Sequence, residues 1–261
     1  MGESKLYVTL LAHTEGPEAL AALAGRRCYS GLDNEDLVAA EAGRDSGELI
    51  QKLVGMGHVT VIEHASYTFA VEGVSRSLLA QITRHRLASF SVQSQRYVGE
   101  TAAKNPDGVF DYVIPPQIAA LGDEARREFA RQMRTIQEWY DHWAQALGGE
   151  RDAFEDARFV LPNAAETKFV FTMNARQLLH FFTLRCCERA QWEIRELADH
   201  MLDLVKPTAP TIFAKAGPAC LRGPCPEGKL NCGRLKEVRK KYRGGGTKQE
   251  TDRQKAGARS R

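Results

Sequence analysis

The stretch that decides the fold and the site is SRSLLAQITRHRLASFSVQSQR, residues 75–96. Its first part has apolar residues at helical spacing, namely Leu78, Leu79 and Ile82. Ser75 stands immediately before this pattern, where a serine side chain can accept a hydrogen bond from a free backbone N–H of the first turn. The stretch therefore predicts a helix that begins after Ser75, ends where the arginines begin and continues into a loop.

The second part of the stretch, from Arg84 to Arg96, is rich in hydrogen-bond donors. It holds three arginines, one histidine, three serines and two glutamines, and no acidic residue. Guanidinium groups bind phosphate through paired hydrogen bonds, and hydroxyls and amides add neutral donors. Gln81 lies three residues before Arg84, so both share one face of the predicted helix. The composition favours a site for a phosphorylated ligand, and a solvated basic surface is an equally open interpretation at this point.

A second region places positive charge where apolar side chains are expected. Asn174 can cap a helix, and on a helical wheel Arg185 and Arg189 fall on its apolar face. That face also carries Leu178, Phe181, Phe182 and Trp192. A guanidinium among apolar neighbours needs a buried anion or a polar partner, so either an internal carboxylate or a ligand pairs with it. Arg176 and His180 lie on the other side of the same helix.

The rest of the chain shows helical and extended patterns without a regular βα repeat. The predicted strands are 6–11, 67–71, 109–114 and a buried one at 168–173. The predicted helices are 17–25, 35–56, 124–147 and a long one from 175 to about 205, kinked near Cys186 and Cys187. Helices around several non-adjacent strands predict a single α+β domain, with a mixed or antiparallel sheet flanked by long helices.

The C-terminal part differs in composition from the rest. Residues 233–261 hold 11 Lys or Arg against 3 Asp or Glu, whereas the whole chain has a net charge of only +3. A basic segment without apolar periodicity cannot bury enough surface to offset chain entropy, so a disordered tail is expected. The predicted division is a folded domain over 1–215, a cysteine-containing extension over 216–232 and the basic tail over 233–261.

The six cysteines do not resemble a disulfide framework, so reduced thiols are expected. Cys220, Cys225 and Cys232 stand close in sequence, but their spacings are irregular and no fourth cysteine or nearby histidine completes a tetrahedral site. Structural thiols are the favoured interpretation, and metal ligation and redox activity are the alternatives. No metal site is predicted.

Missing patterns exclude several classes of protein. No apolar run approaches the roughly 20 residues that cross a bilayer, and the first residues lack the apolar stretch of a signal peptide. A cytoplasmic protein is therefore expected. The chain has neither the G-x-G-x-x-G turn of a dinucleotide fold nor the G-x-S-x-G elbow of a hydrolase.

In these segments the chain resembles the flavin-dependent thymidylate synthases. Their signature R-H-R-x-x-S-x-N-x-x-S-x-R is matched from Arg84 to Arg96 with one change, Ser91 in the place of Asn. Three further segments match in the same order, Gly57 to His64, Ala157 to Pro162 and Asn174 to Glu193. The resemblance covers about residues 20–205 and makes 1–215 the catalytic domain.

The resemblance implies reductive methylation of deoxyuridylate (dUMP) to thymidylate (dTMP). The methylene group would come from 5,10-methylenetetrahydrofolate, and the reducing hydride from NADPH through bound FAD. It also implies a homotetramer whose active sites combine residues of several subunits, with a small-molecule nucleotide substrate and no nucleic-acid or membrane partner. No covalent cysteine is needed in that scheme.

The resemblance also assigns residues to the ligands. The dUMP site would consist of Gln81, Ile82, Thr83, Arg84, Val92, Gln93, Ser94, Gln95, Arg96, Arg158 and Arg185. The FAD site would consist of Thr60, Arg84, His85, Arg86, Val92, Asn174, Arg176 and His180. Arg185 would be the catalytic residue, stabilising negative charge at N3 of uracil. Two positions depart from the family pattern, because Val92 stands where some members have Glu and Arg189 where some have His.

Two other functions use the same residues. A serine hydrolase would pair Ser89 or Ser94 with His85, but no acid is positioned in sequence to orient that histidine. An RNA-binding module would use the arginines and the basic tail, but only Phe90 and Tyr97 are interleaved as stacking platforms. Both are weaker interpretations than the synthase.

Overall fold

The computed structural model describes residues 2–243, in which helices surround one sheet. The helices are α1 Pro17–Arg27, α2 Asn34–Glu41, α3 Gly47–Gly55, α4 Arg76–Ile82, α5 Pro116–Ala119, α6 Asp123–Ala146, α7 Arg151–Ala157, α8 Ala175–Arg185, α9 Trp192–Val205 and α10 Leu235–Arg243. The strands are β1 Tyr7–His13, β2 Ser66–Ser75, β3 Ser89–Val92 and β4 Glu166–Asn174. Short 3-10 turns lie at Val59–His64, Ala102–Lys104, Arg158–Val160, Ala219–Leu221 and Gly228–Leu230. The predicted α+β class is confirmed.

The sheet has the strand order β1-β2-β4-β3, and each neighbouring pair is antiparallel. Phe69 of β2 is the register partner of Phe171 of β4, and their rings stack with 5.3 Å between centroids. Phe90 of β3 stacks on the same Phe171 ring at 5.6 Å. The donor-rich stretch therefore continues into an edge strand, and the prediction of a loop there was wrong for Ser89–Val92.

A bulge in β2 turns the chain towards α4. The pairing of β2 with β4 shifts between Val71 and Val74, and Gly73 inside the shift has φ +72°. A Cβ on Gly73 would lie 1.8 Å from the backbone oxygen of Lys5, so only glycine fits this close approach. Its N–H donates to Glu166 at 2.7 Å.

Ser75 fixes the start of α4 in two ways. Its Oγ accepts a hydrogen bond from the Leu78 N–H at 3.1 Å, which confirms the predicted cap. Its N–H and its Oγ–H both donate to the buried carboxylate of Glu193 at 2.6 Å, and burial raises the pKa of Glu193. The start of α4 is thus joined to the first turn of α9. The predicted Asn174 cap of α8 is confirmed in the same way, through the Gln177 N–H at 2.9 Å.

One hydrophobic cluster joins α1, α3, α4, α8 and α9 to the strands β1, β2 and β4. Smaller clusters lie beneath α6 and α7. Burial alternates along β4, so this strand is buried on one face only and runs beyond the predicted 168–173. None of the helices within 2–243 has the length and apolar character needed to span a membrane.

Three predicted elements were wrong in their extent. The helix predicted for 35–56 is two helices, because the backbone leaves the helical region at Ala42 and Gly43 has φ +76°. The segment 109–114 is not a strand, because only Tyr112 makes isolated bridges while its neighbours pack in the cluster beneath α6. The helix predicted from 175 to about 205 is interrupted over 186–191, between α8 and α9.

The predicted disordered tail over 233–261 was wrong in its first part. Leu235–Arg243 forms α10, and Val238 and Tyr242 are buried in the main hydrophobic cluster. The hydroxyl of Tyr242 donates to the backbone oxygen of Cys186 at 3.1 Å. Two apolar residues four positions apart make one face of a helix, a pattern that the basic composition concealed. Residues 244–261 lie outside the described part of the chain.

Candidate functional site

The donor-rich stretch leaves α4 and enters β3 through a corner that contains His85. His85 is buried, whereas Arg84 and Arg86 on either side of it are exposed. The ring of His85 meets Phe181 of α8 edge-on, with 4.9 Å between centroids. The corner therefore presents two guanidinium groups at the surface, on either side of a buried imidazole.

Arg185, at the end of α8, is tied to this imidazole. Its Nε donates to Nε2 of His85 at 3.1 Å, which requires Nε2 to be unprotonated and the proton to sit on Nδ1. Burial, with smaller contributions from the charges of Arg185 and His180, lowers the pKa of His85 to about 4. At neutral pH His85 is thus a neutral acceptor that orients Arg185. Its Nδ1–H faces the side-chain amide of Gln177 at 3.5 Å and donates to the amide oxygen when that oxygen is turned towards the ring.

Arg185 is half-buried and stands near a second guanidinium. Burial lowers the pKa of Arg185, and the charge of Arg84 lowers it further. In the described residues no carboxylate forms an ion pair with Arg185, whose donor contact goes to the neutral histidine. Of the two alternatives left by the sequence, an internal carboxylate or a ligand, the structure provides no carboxylate. Two guanidinium groups without a nearby acid form an anion site.

The helical-wheel prediction for Arg189 was wrong. Helix α8 ends at Arg185, so Arg189 lies in the following loop rather than on the apolar face. Its side chain is exposed and donates to the backbone oxygen of Leu230 at 2.6 Å. Arg189 is thus engaged with the C-terminal extension instead of the apolar face of α8.

The geometry of the corner also argues against the serine hydrolase and the RNA-binding module. A hydrolase base must accept a proton from a serine, but Nε2 of His85 already accepts from Arg185 and its pKa of about 4 makes it a weak base at neutral pH. Phe90 packs against the core, and the guanidinium of Arg151 covers the Tyr97 ring at 3.7 Å. Neither ring offers a free stacking platform, so neither alternative gains support.

A second group of donors lies at the other end of α4. A cavity of about 330 Å³ is lined by Arg76, Gln95, Arg158, Phe159, Leu161, Pro162 and Asn163. Burial lowers the pKa of Arg76, and the nearby charge of Arg158 lowers it further. Two residues assigned to dUMP, Gln95 and Arg158, thus meet a second cation, Arg76, that the sequence did not single out.

Arg96 is held close to this cavity by an acid. Its guanidinium pairs with Glu155 through Nε and Nη2, each at 2.7 Å, and its N–H donates to Ser94 Oγ at 3.3 Å. Glu155 also accepts at its backbone oxygen from Nε of Arg158, at 3.0 Å. Because both partners are largely exposed, the ion pair is worth only about 0–1 kcal/mol. A phosphate can replace the carboxylate at little cost.

The other residues assigned to dUMP contribute differently. Ile82 is fully buried and Val92 packs against the core, so only their backbones can reach a ligand. Thr83 is exposed, and its hydroxyl donates to the preceding helical turn at 2.9 Å. Gln81 and Gln93 are half-buried.

Four of the residues assigned to FAD lie at the start of α8 or in the turn Val59–His64, namely Thr60, Asn174, Arg176 and His180. Arg176 and His180 are exposed, as the helical wheel predicted, and Arg176 forms an ion pair with Glu63. Thr60 is exposed in the same turn as Glu63. The ring of His180 lies 6.3 Å from that of the buried histidine at the corner. Helix α8 therefore links this group to Arg185.

Three residues that line or support the site, Arg76, Gln177 and Glu193, were not predicted from the sequence. Arg76 could have been noticed, because it directly follows the helix cap and precedes Gln81 on the same helix. Gln177 and Glu193 are polar residues at buried helical positions. Such positions signal an internal partner, but the identity of that partner, an imidazole or a serine, depends on the fold.

The cysteines provide no reactive thiol at this site. All six are free, and Cys186 is fully buried. Burial and, to a smaller extent, the charge of Asp199 raise the pKa of the Cys186 thiol, which makes it a poor nucleophile at neutral pH. Within 2–243, no three metal-ligating side chains are placed to hold an ion.

Comparisons with known proteins agree with this site. The family model described as thymidylate synthase complementing protein matches residues 9–211. A flavin-dependent thymidylate synthase of Geobacter sulfurreducens is 50% identical over 238 residues, 91% of this chain and 98% of that relative. The enzyme of the same description from Clostridium tetani is 44% identical, over 90% of this chain and 96% of that relative. The chain therefore belongs to the flavin-dependent thymidylate synthase family, and it is an enzyme of the methyltransferase class.

Two solved structures share the fold. The UMP/dUMP methylase PolB of Streptomyces cacaoi, bound with 5-Br dUMP, aligns with a TM-score of 0.67 and 24% identity over 81% of this chain and 94% of that one. The flavin-dependent thymidylate synthase of Helicobacter pylori, complexed with FAD and dUMP, aligns with a TM-score of 0.58 and 24% identity over 80% of this chain and 99% of that one. At this identity the likeness supports the predicted architecture alone.

Proposed function

We propose that this chain converts dUMP to dTMP with FAD as cofactor, 5,10-methylenetetrahydrofolate as methylene donor and NADPH as reductant. The observation that carries the proposal is the pair of guanidinium groups, Arg84 and Arg185, next to a neutral His85 and without an acid. Relatives that are up to half identical over almost their whole length bear the synthase name.

Arg185 is proposed to bind the uracil ring and stabilise charge on it. Its Nε is committed to His85, which leaves the two Nη groups for a ligand. C5 of uracil becomes a nucleophile towards the methylene group when electron density builds up on the ring, with negative charge on its N3 side, and the attack then consumes that charge. A cation that is already oriented and partly desolvated lowers the energy of that charge without reorganising. His85 is a positioning residue, because it acts through Arg185.

The phosphate of dUMP is proposed to lie between Ser94 to Arg96 and the cavity with Arg158. Gln95 and Arg158 line that cavity together with Arg76, so one face supplies two cations and an amide. Arg96 joins them when the phosphate replaces Glu155 as its partner. Charge-assisted bonds of this kind contribute roughly 1.5–3 kcal/mol each.

The residues present fit FAD. Exposed Arg84, Arg86 and Arg176, with His180 and Thr60, offer cations and hydrogen-bond groups to a dinucleotide that carries a negatively charged pyrophosphate. The acid Glu63 holds Arg176 in place through an exposed ion pair, which a ligand can exchange. When bound, FAD supplies the reducing equivalents that NADPH delivers for the methyl group.

We also propose a homotetramer with active sites shared between subunits. Beside the two groups of site residues stand apolar side chains that the single chain leaves uncovered, Leu87 at 73% exposure and Phe159 at 81%. Each follows an arginine of the site, Arg86 or Arg158. A second copy that covers them would also bring its own residues to the ligands. The free thiols fit a cytoplasmic enzyme.

An anaerobic assay tests the function directly. The purified protein should absorb at about 450 nm as a flavoprotein. With NADPH, dUMP and methylenetetrahydrofolate it should form dTMP while its flavin returns to the oxidised form. A colourless protein that binds no added FAD, or flavin turnover without dTMP, would contradict the proposal.

A further inference from the structure

The C-terminal extension gathers cysteines from two distant parts of the chain. Cys220, Cys225 and Cys232 belong to the extension, and Cys187 belongs to the loop between α8 and α9. Glu188 and Arg189, which directly follow Cys187, contact Arg234 and Leu230 on either side of Cys232. Arg222, two residues after Cys220, donates to the Thr183 hydroxyl of α8 at 2.6 Å. The fold thus brings a fourth thiol, that of Cys187, to the three cysteines of the extension.

Polar contacts hold the extension against the α8–α9 loop. Arg189 of the loop donates to the backbone oxygen of Leu230 at 2.6 Å and lies 3.9 Å from the carboxylate of Glu227. Arg234, two residues after Cys232, forms an ion pair with Glu188 of the α8–α9 loop at 2.7 Å. These contacts flank the cysteines on both segments, so the two cysteine-bearing segments are placed side by side.

The hydrophobic core holds this segment only at Cys225, which is partly buried against the main cluster. From 222 to 237, all of them described residues, no hydrophobic side chain is buried, whereas Leu221 and Val238 on either side are. The backbone nevertheless turns tightly, with φ +52° at Gly228 and +73° at Gly233. Exposed ion pairs contribute only about 0–1 kcal/mol each. Small segments without an apolar core are commonly held by a disulfide or a metal ion.

The chemistry of the four side chains favours a metal ion. Four cysteine thiolates are a common ligand set of closed structural zinc sites, and soft thiolates prefer zinc to hard cations. A zinc ion with four thiolates carries two negative charges, which nearby cations can offset. Arg239 donates to the backbone oxygens of Cys220 and Gly223 at 3.0 and 2.8 Å, and Arg189 and Arg234 flank the same segment.

We propose that Cys187, Cys220, Cys225 and Cys232 bind one zinc ion as four thiolate ligands and that this ion fastens the extension to the α8–α9 loop. The four thiols lie on the two neighbouring segments, but within residues 2–243 no three of them are already placed to hold an ion. Binding of zinc therefore draws the four thiols together and releases their protons. Because Cys187 follows Arg185 by two residues, the ion also anchors the end of α8.

Metal analysis of the full-length protein, with any histidine tag removed, tests the proposal. We expect about one zinc per chain, released in step with titration of thiols by a mercurial reagent. Four variants, Cys187→Ser, Cys220→Ser, Cys225→Ser and Cys232→Ser, should each lose most of the zinc. Cys28→Ser is the matched control, because Cys28 is exposed at the end of α1 and should leave the zinc unchanged.

A histidine variant shows whether a cysteine variant loses zinc because a ligand is missing or because the protein no longer folds. Cys232→His keeps a zinc ligand at an exposed part of the loop and should retain zinc where Cys232→Ser does not. Wild-type protein with little zinc, iron with sulfide in its place, a disulfide among the four thiols, or equal loss of zinc in Cys28→Ser would each overturn the proposal. None of these readouts depends on methylation activity, so failure here is distinguishable from failure of the synthase assignment.

Limited proteolysis tests the structural role of the ion. Lys229 and Arg234 are exposed trypsin sites inside the segment. We expect chelation of zinc, or Cys225→Ser, to speed cleavage there at least about tenfold, because cleavage follows local opening. Cleavage at the same rate with and without zinc would overturn the role assigned to the ion.

Discussion

The centre around His85 and Arg185 and the cysteine segment over 220–232 are both assembled from residues far apart in sequence, but different forces hold them. At the first, a buried imidazole and aromatic side chains fix a guanidinium before any ligand arrives. At the second, surface ion pairs and backbone contacts hold a chain that buries no hydrophobic residue over 222–237. Burial alone orders the centre around His85 and Arg185. The cysteine segment lies at the surface, and we propose that zinc cross-links it.

Removing the guanidinium of the buried centre should have the largest effect. Arg185→Ala should lower the turnover of dUMP by about 10³-fold, the loss typical of removing a preorganised electrostatic group. Steady-state assays with flavin absorbance and a melting curve measure the change. The variant should remain folded and yellow, because Arg185 is not part of the hydrophobic cluster.

The matched control for this variant is Arg127→Ala, on the exposed surface of α6. It removes the same charge and should leave turnover unchanged. Full activity in Arg185→Ala would show that the buried centre is not catalytic.

Two C-terminal truncations separate the contribution of helix α10 to the free energy of unfolding from that of the residues beyond it. Removal of all residues after Cys232 takes away Val238 and Tyr242, and losing two buried side chains should lower the free energy of unfolding by about 3 kcal/mol or more. Removal of residues after Arg243 should not change it. Urea unfolding of both truncated proteins measures the difference, and equal stabilities would show that α10 does not contribute to the core.

The buried histidine predicts a dependence of stability on pH. The pKa of His85 is about 4 in the folded protein and about 6.5 in the unfolded chain, so the unfolded chain binds the proton first as the pH falls. The contribution is complete above pH 6.5 and is lost as the pH falls towards 4. From pH 7 to pH 5 the loss should reach at most about 2 kcal/mol.

Urea unfolding at pH 7 and pH 5 measures the contribution of His85 to the pH dependence of stability. His85→Asn should lose less stability between the two pH values than the wild type, and His142→Asn, at an exposed position of α6, should behave like the wild type. An identical pH dependence in His85→Asn and wild type would contradict the proposed neutral state.

The cavity at the start of α4 should affect binding more than chemistry. Arg76→Ala should raise the KM for dUMP about tenfold, because one charge-assisted contact is lost, with little change in kcat. Glu155→Gln is the comparison, because it frees Arg96 without removing a cation and should not raise the KM. An unchanged KM in Arg76→Ala would place the phosphate elsewhere.

The smallest effect is expected at the buried cysteine. Cys186→Ala should keep turnover within about twofold of wild type, because a buried thiol of raised pKa is not a nucleophile. Product formation together with a melting curve measures this. Complete loss of turnover in a protein that still melts at the wild-type temperature would instead indicate covalent catalysis.

Local patterns predicted the elements whose signals are local. The Ser75 and Asn174 caps, the helix over 124–147 and the strand beginning near Lys168 follow from side-chain spacing within a few residues. The predictions for 35–56 and 109–114 failed because a backbone break and burial against another element overrode periodicity. The α10 helix was missed because two apolar residues among many charges are a weak pattern until a core is present to receive them.

By itself the sequence determined the kinds of groups the protein would use: the donor-rich stretch Arg84 to Arg96, an arginine at the end of an apolar helix and a family resemblance carried by four segments. Only the tertiary structure decided which groups meet. It placed Arg185 against a neutral His85, Arg76 beside Arg158 and Cys187 near the three cysteines of the extension. Residue types and spacing are properties of the chain, whereas contacts across 33 to 100 positions arise only when the hydrophobic core brings distant segments together.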